Sequence, residues 1–127
     1  MAGRLTHETH ERLITTAKEL TTSRQTFYTC PAKLSPRLSH VMLSNKTGAT
    51  TPATASFTLE YYEAATTTYF SLATTEDITV DSRVLLTNGE VPFLSMKEGD
   101  LITCKASANS SIDCITVVVE QEARRVS

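Results

Sequence analysis

ATASFTLEYYE, residues 53–63, alternates apolar and polar side chains from Ala53 to Tyr61. In an extended chain Ala55, Phe57, Leu59 and Tyr61 share one face, and Ser56, Thr58, Glu60 and Tyr62 share the other. A period of two over this length marks a half-buried β-strand. Outward from it the same period recurs in short runs separated by turn residues. Upstream lie Gln25 to Cys30 and Leu38 to Asn45, the first closed by Pro31 and the second followed by the loop NKTGATTP. Downstream, Thr66 to Ala73 is rich in β-branched and aromatic residues and is expected to pair back on the opening strand. Ile78 to Leu86 follows, then Asn88-Gly89, a type I′ hairpin signal, and Val91 to Met96, which Pro92 marks as an edge or irregular strand.

Two further strands, Leu101 to Ala106 and Ile112 to Gln121, flank the polar segment Ser107 to Ser111. If that segment were a hairpin turn centred on Asn109, Lys105 would face Asp113 and Cys104 would face Cys114 as a cross-strand thiol pair. Ile102, Cys104, Ala106, Ile112, Cys114 and Val118 would then share the core face. Eight strands at spacings of about ten residues, with no internal helical period, predict an all-β chain folded as an antiparallel two-sheet β-sandwich, Ig-like or jelly-roll-like. Residues 25–122 form this domain. Residues 1–24 form an extended N-terminal arm and residues 123–127 a C-terminal tail. In the arm, Leu13, Ile14, Ala17 and Leu20 are spaced as a short helical stripe, while Thr15, Thr16, Thr21 and Thr22 favour extended chain.

The whole chain is 127 residues, with 22 Thr and 12 Ser against only 4 Gly, 4 Pro and no Trp. This composition excludes collagen-like and disulfide-scaffold classes. No stretch approaches the ~20 apolar residues of a membrane-spanning helix, and Met1 to Thr16 lacks the apolar run of a secretory signal. Net charge is −2, divided into six Lys/Arg against three Asp/Glu over residues 1–37 and six against eleven over residues 38–127. A basic first quarter on an acidic body suits docking between protein subunits. It is too weakly basic for a dedicated nucleic-acid binder.

No catalytic, cofactor or metal site is expected. His7 and His10 stand three apart, with Glu8 and Glu11 beside them, whereas a zinc-protease helix needs its histidines four apart. Glu76, Asp77 and Asp81 read as a solvated rim at a strand end. Ser39 and His40 are adjacent on a strand and should point to opposite faces. Cys30, Cys104 and Cys114 make neither a zinc set nor an even disulfide framework, so free, partly buried thiols are expected, with a Cys104–Cys114 bridge only in an oxidising medium.

The run Phe27-Tyr28-Thr29-Cys30-Pro31-Ala32, then Leu43-Ser44-Asn45, a Thr-rich loop, Leu94-Ser95-Met96-Lys97-Glu98-Gly99-Asp100-Leu101 and a final Val117-Val118-Val119-Glu120 resembles the small β-sandwich virion proteins of tailed bacteriophages. The resemblance spans about residues 20–122. One departure is Lys33, which stands where those proteins tend to have Gly after Pro-Ala. The resemblance implies a non-enzymatic structural subunit made in the host cytoplasm and carried in the virion. Such a subunit decorates or cements the capsid, or belongs to the neck or tail. Its partners would be other virion proteins and further copies of itself, with no direct contact to nucleic acid or membrane. Arg4, Leu5, Arg12, Leu13, Ile14, Lys18 and Leu20 would then form an assembly arm lying across an acidic neighbour. Removal of Met1 to Thr22 should in that case leave a folded monomer. The rival reading is a carbohydrate- or ligand-binding module using Tyr61, Tyr62, Tyr69 and Phe70 as an aromatic platform, although neighbours on a strand cannot share one face.

Overall fold

The structure, a computed structural model, describes residues 12–45, 54–79, 82–87 and 94–121. These residues form nine strands and no helix: β1 (Arg12–Glu19), β2 (Gln25–Thr29), β3 (Arg37–Asn45), β4 (Thr54–Glu63), β5 (Thr68–Thr79), β6 (Arg83–Thr87), β7 (Leu94–Ser95), β8 (Leu101–Ala106) and β9 (Ile112–Glu120). One sheet runs β1-β9-β3-β6, with the two-residue β7 also on β3, and the other runs β2-β8-β4-β5. Every pairing is antiparallel. The chain therefore crosses repeatedly from one sheet to the other, and the eight main strands divide four and four, which is the jelly-roll form of the sandwich.

The core lies between the sheets. Leu38, Val41 and Leu43 from β3, and Ile112, Cys114 and Val118 from β9, face Phe57 and Leu59 of β4 and Ile102 and Cys104 of β8. Alternation in β9 is strict. Ile112, Cys114, Thr116, Val118 and Glu120 point inward, while Asp113, Ile115, Val117 and Val119 lie on the outer side.

Three expectations need correction. Residues 12–19 of the expected arm are β1, paired along its whole length with β9, and Leu20 is fully buried in the core. The eight-residue pairing and the burial of Leu20 outweigh the weak helical spacing, so the sandwich begins well before Gln25. Second, the expected β8–β9 hairpin does not form. β8 pairs with β2 and β4 in one sheet, β9 with β1 and β3 in the other, and Ser107–Ser111 is the crossing between them. Asp113 consequently lies opposite Glu19 and Ser44, and Lys105 opposite Thr58. All six residues expected on the core face are nonetheless buried, because side-chain parity along a strand does not depend on which strand it pairs with. Third, the expected strand Ile78 to Leu86 is divided. Ile78 and Thr79 end β5, and β6 starts at Arg83 in the opposite sheet. β6 and β7 then lie in line along the same side of β3 rather than folding back on each other. Asn88-Gly89 and Pro92 lie outside the described residues.

Candidate functional site: polar anchors and two outer faces

The polar side chains of the described residues gather at three places that tie the strands together. The first is the Met96-Lys97-Glu98-Gly99-Asp100 turn that leads into β8. Asp100, only 2% exposed, accepts hydrogen bonds from the Ala64 N–H (3.0 Å), the Lys97 N–H (2.9 Å) and the Tyr61 hydroxyl. Burial pushes its carboxyl up, but the three donors and the Lys97 charge outweigh that and hold it below the ordinary aspartate value. Burial and the same contact push the Tyr61 phenol well up. Gly99 sits at φ +90°, and a Cβ there would lie 3.0 Å from the Cβ of Ala64, so the turn needs glycine. Its N–H donates to the Cys30 carbonyl, and the Cys30 N–H donates to the Asp100 carbonyl, both at 2.9 Å. One turn thus clasps the end of β2, the β4–β5 turn and the start of β8.

The second anchor spans the two sheets. Glu120 at the end of β9 accepts from Tyr28 of β2 and pairs with Arg12 of β1 at 2.7 Å. Burial raises its carboxyl, and the Tyr28 hydroxyl and Arg12 lower it further than burial raises it. The third lies on the outer side of the second sheet. Arg24 grips Glu60 through one guanidinium edge, its Nε donating to Oε1 at 2.6 Å and its Nη2 to Oε2 at 3.2 Å, and stacks 3.8 Å from the Tyr69 ring centre. The Arg24 hydrogen bond is the main reason the Glu60 carboxyl is held low. Tyr62 packs on Tyr69 at 4.7 Å between centroids.

That last arrangement bears on an aromatic platform. A sugar stacks on an open ring face, and here Arg24 and Tyr62 both pack against Tyr69. Tyr61 is committed to Asp100. Phe70, 48% exposed, is the remaining member of the expected set with an open ring.

Ser39 and His40 depart from expectation. The register of β3 against β9 shifts between Leu38 and His40, and the serine Oγ lies 2.7 Å from the imidazole Nδ1 instead of on the opposite face. Two neighbours meet only because the bulge breaks the alternation, and nothing in the sequence marks that bulge. The pair is exposed among the described residues.

Cys30, Cys104 and Cys114 are all free thiols and all buried. Burial pushes the Cys30 thiol up to about 11, aided by Asp100 and Glu120. Cys104 and Cys114 approach one another from opposite sheets, and the contact with Cys104, together with burial, pushes the Cys114 thiol far up. Among the described residues no group of three or more His, Cys, Asp or Glu could hold a metal ion, and no helix is long and apolar enough to cross a membrane. His7, Glu8, His10, Glu11 and Asp81 lie outside the described residues, as do Arg4 and Leu5. Glu76 and Asp77 lie in β5.

The two sheets present different outer sides. The second sheet carries Thr26, Thr103, Glu60, Thr58, Lys105 and Thr74, a polar side on which Arg24 covers Glu60 and both Glu60 and Thr103 are buried. The first sheet carries Leu13 and Ala17 of β1, Ile115, Val117 and Val119 of β9, Met42 of β3 and Leu85 of β6. Leu13 is 69% and Leu85 57% exposed.

No family model matches the sequence, and no curated protein matches it. Among solved structures, the chain is similar to one of Bacillus endospore appendages, reported as a novel family of disulfide-linked pili. The TM-score is 0.54 at 11% identity, over 91% of this chain and 89% of that one. The likeness establishes a shared β-rich fold across nearly the whole length of both chains. Its disulfide linkage concerns that protein, whereas the three cysteines here are buried and free.

Proposed function

We propose that this chain is a non-enzymatic structural subunit of a repeated assembly, and within that class an accessory subunit of a tailed-phage virion, on the capsid, neck or tail. The observation that carries the reading is the jelly-roll strand order, an architecture used by viral capsid domains and also by lectins, taken together with the occupied face of Tyr69, which weakens an aromatic sugar platform. A fold likeness to a protein of an assembled fibre is consistent with it. Three local features support it. The acidic, tyrosine and arginine side chains of the three anchors clasp strand ends. Lys33, standing where the resembling phage proteins carry Gly, has φ +67°, so the left-handed turn that glycine would favour is kept. Buried free thiols suit a protein made in a reducing cytoplasm and carried in the particle.

Light scattering on the purified chain, alone and mixed with capsid, neck and tail proteins of candidate phages, tests the reading. Co-migration with a shell, ring or particle is the expected result. A chain that ignores every virion protein and binds an oligosaccharide on a glycan panel would replace it with the ligand-binding module.

A further inference from the structure

We propose that the outer side of the β1-β9-β3-β6 sheet is a self-association surface on which a second copy of this chain docks face to face. An antiparallel sheet that packs one side on a core normally turns polar residues to water. Here the outer side holds seven apolar residues on four adjacent strands. The rows are read from the register. Leu13 lies beside Val119 and Arg37, Thr15 beside Val117 and His40, Ala17 beside Ile115, Met42 and Leu85, and Glu19 beside Asp113, Ser44 and Arg83.

The occupant follows from how this grid matches itself. A two-fold axis lying in the interface parallel to the strands places each row on the same row of the mate with the strand order reversed. Ile115 then meets Met42 of the other copy, Ala17 meets Leu85, and Glu19 at one corner meets Arg83 from the opposite corner, twice over by symmetry. An axis across the strands does the reverse and sets Leu13 and Val119 over Glu19 and Asp113. The first arrangement matches the oppositely charged corners and the apolar Ile115–Met42 and Ala17–Leu85 pairs, as an isologous interface requires at its centre, while Val117 meets His40 and Val119 meets Arg37 towards one end. The size also fits. Four strands about 4.8 Å apart and seven residues at about 3.4 Å give a face of roughly 450 Å² per copy. The pair would bury on the order of 900 Å² or more, at the lower end of specific interfaces and in the range of reversible ones. Leu13 and Leu85 are exposed and Met42, Ile115, Val117 and Val119 half-buried, so the apolar part of the face is smaller than this outline and suits a weak, reversible contact.

The inference deepens the structural-subunit reading by naming the contact through which copies pair, and its test is separate. Incorporation into particles tests the role, while self-association of the pure chain tests the face. Sedimentation equilibrium of the full chain from about 1 to 500 μM should show a reversible monomer–dimer equilibrium with micromolar Kd, the regime expected of a small interface. Leu85→Glu, at an exposed position on the edge strand β6 and checked for an unchanged melting transition, should weaken it at least 100-fold. Glu19→Arg and Arg83→Glu should each weaken it about tenfold. The double charge swap should return it to within a few-fold of the natural chain, which a non-specific apolar contact would not do. A chain that stays monomeric to 500 μM overturns the proposal. So does association that Leu85→Glu leaves unchanged, or a double swap no tighter than its singles.

Discussion

Asp100→Ala should remove the clasp at the entrance to β8, and its cost can be worked from the contacts. The carboxylate serves the N–H groups of Ala64 and Lys97 and the hydroxyl of Tyr61 together. A hydrogen bond to a charged acceptor contributes about 1.5–3 kcal/mol when fully buried. Ala64 and Tyr61 are only half-buried and Lys97 is exposed, so water can replace part of each loss, and ~1 kcal/mol apiece gives a total near ~3 kcal/mol. With a urea m-value of about 1.5 kcal/mol/M for a chain of this size, the unfolding midpoint at pH 7 should fall by roughly 2 M. Tyr61→Phe alone should cost about 1 kcal/mol and should be silent in the Asp100→Ala background, a coupling that a double-mutant cycle reads directly. The pH dependence has a definite sign. Folding lowers the Asp100 pKa, so its ionic contribution is complete above the unfolded value near ~4 and is lost as pH falls through the folded value. The gap between the natural chain and the variant should therefore narrow from about pH 4 downwards. A midpoint shift below ~0.5 M at pH 7, or a gap that does not narrow in acid, would refute the reasoning.

Thr116 is fully buried on the inner side of β9, and its hydroxyl has no protein partner. Thr116→Val keeps the shape and the β-branching and should stabilise by about 1 kcal/mol, a rise of a few degrees in Tm by calorimetry; a fall would mean the hydroxyl is satisfied. Lys33→Gly should stabilise by about 1 kcal/mol in urea unfolding, because the left-handed backbone at φ +67° strains any residue with a Cβ. Leu20→Ala should cost about 2–5 kcal/mol by the same assay. Removal of residues 1–22 takes away β1 and Leu20 together and should abolish cooperative unfolding, contrary to the folded monomer expected of a dispensable arm.

Strand positions were legible because alternation is local. β2, β3, β4, β8 and β9 all lie within a residue or two of where period-two patterning places them; the buried face of β9 follows from parity alone, whereas bulges interrupt it in β2 and β3. Pairing was less legible. A polar five-residue segment such as Ser107–Ser111 serves a hairpin and an inter-sheet crossing equally well, and only long-range contacts decide between them. β1 was hidden for a different reason. Leu13, Ile14, Ala17 and Leu20 fit a helical stripe, but Ile14 and Leu20 turn to the core while Leu13 and Ala17 lie on the outer side. A strand whose both faces carry apolar residues does not look amphipathic at period two.

That two-sided character is the clue to the surface that sequence reading missed. In β9 the inward residues Ile112, Cys114 and Val118 account for the core, yet Ile115, Val117 and Val119 are just as apolar and face away from it. Burial alternates strictly in residues 112–120 but residue type does not, and the outward residues gain meaning only when Leu13, Ala17, Met42 and Leu85 are set beside them by a register joining positions up to 106 residues apart. Aromatic and acidic residues drew attention as candidate sites because their chemistry is conspicuous, whereas the structure commits most of them to holding strand ends. The unexplained hydrophobicity lies in ordinary aliphatic residues on the wrong side of a sheet. An isolated sandwich gains nothing from keeping them there, since a Thr or Lys at each position would pair as well in the ladder and meet water at lower cost. Their presence is accounted for when that side of the sheet is covered, which makes self-association of the intact chain, and its loss on Leu85→Glu, the measurement on which the assignment of that face turns.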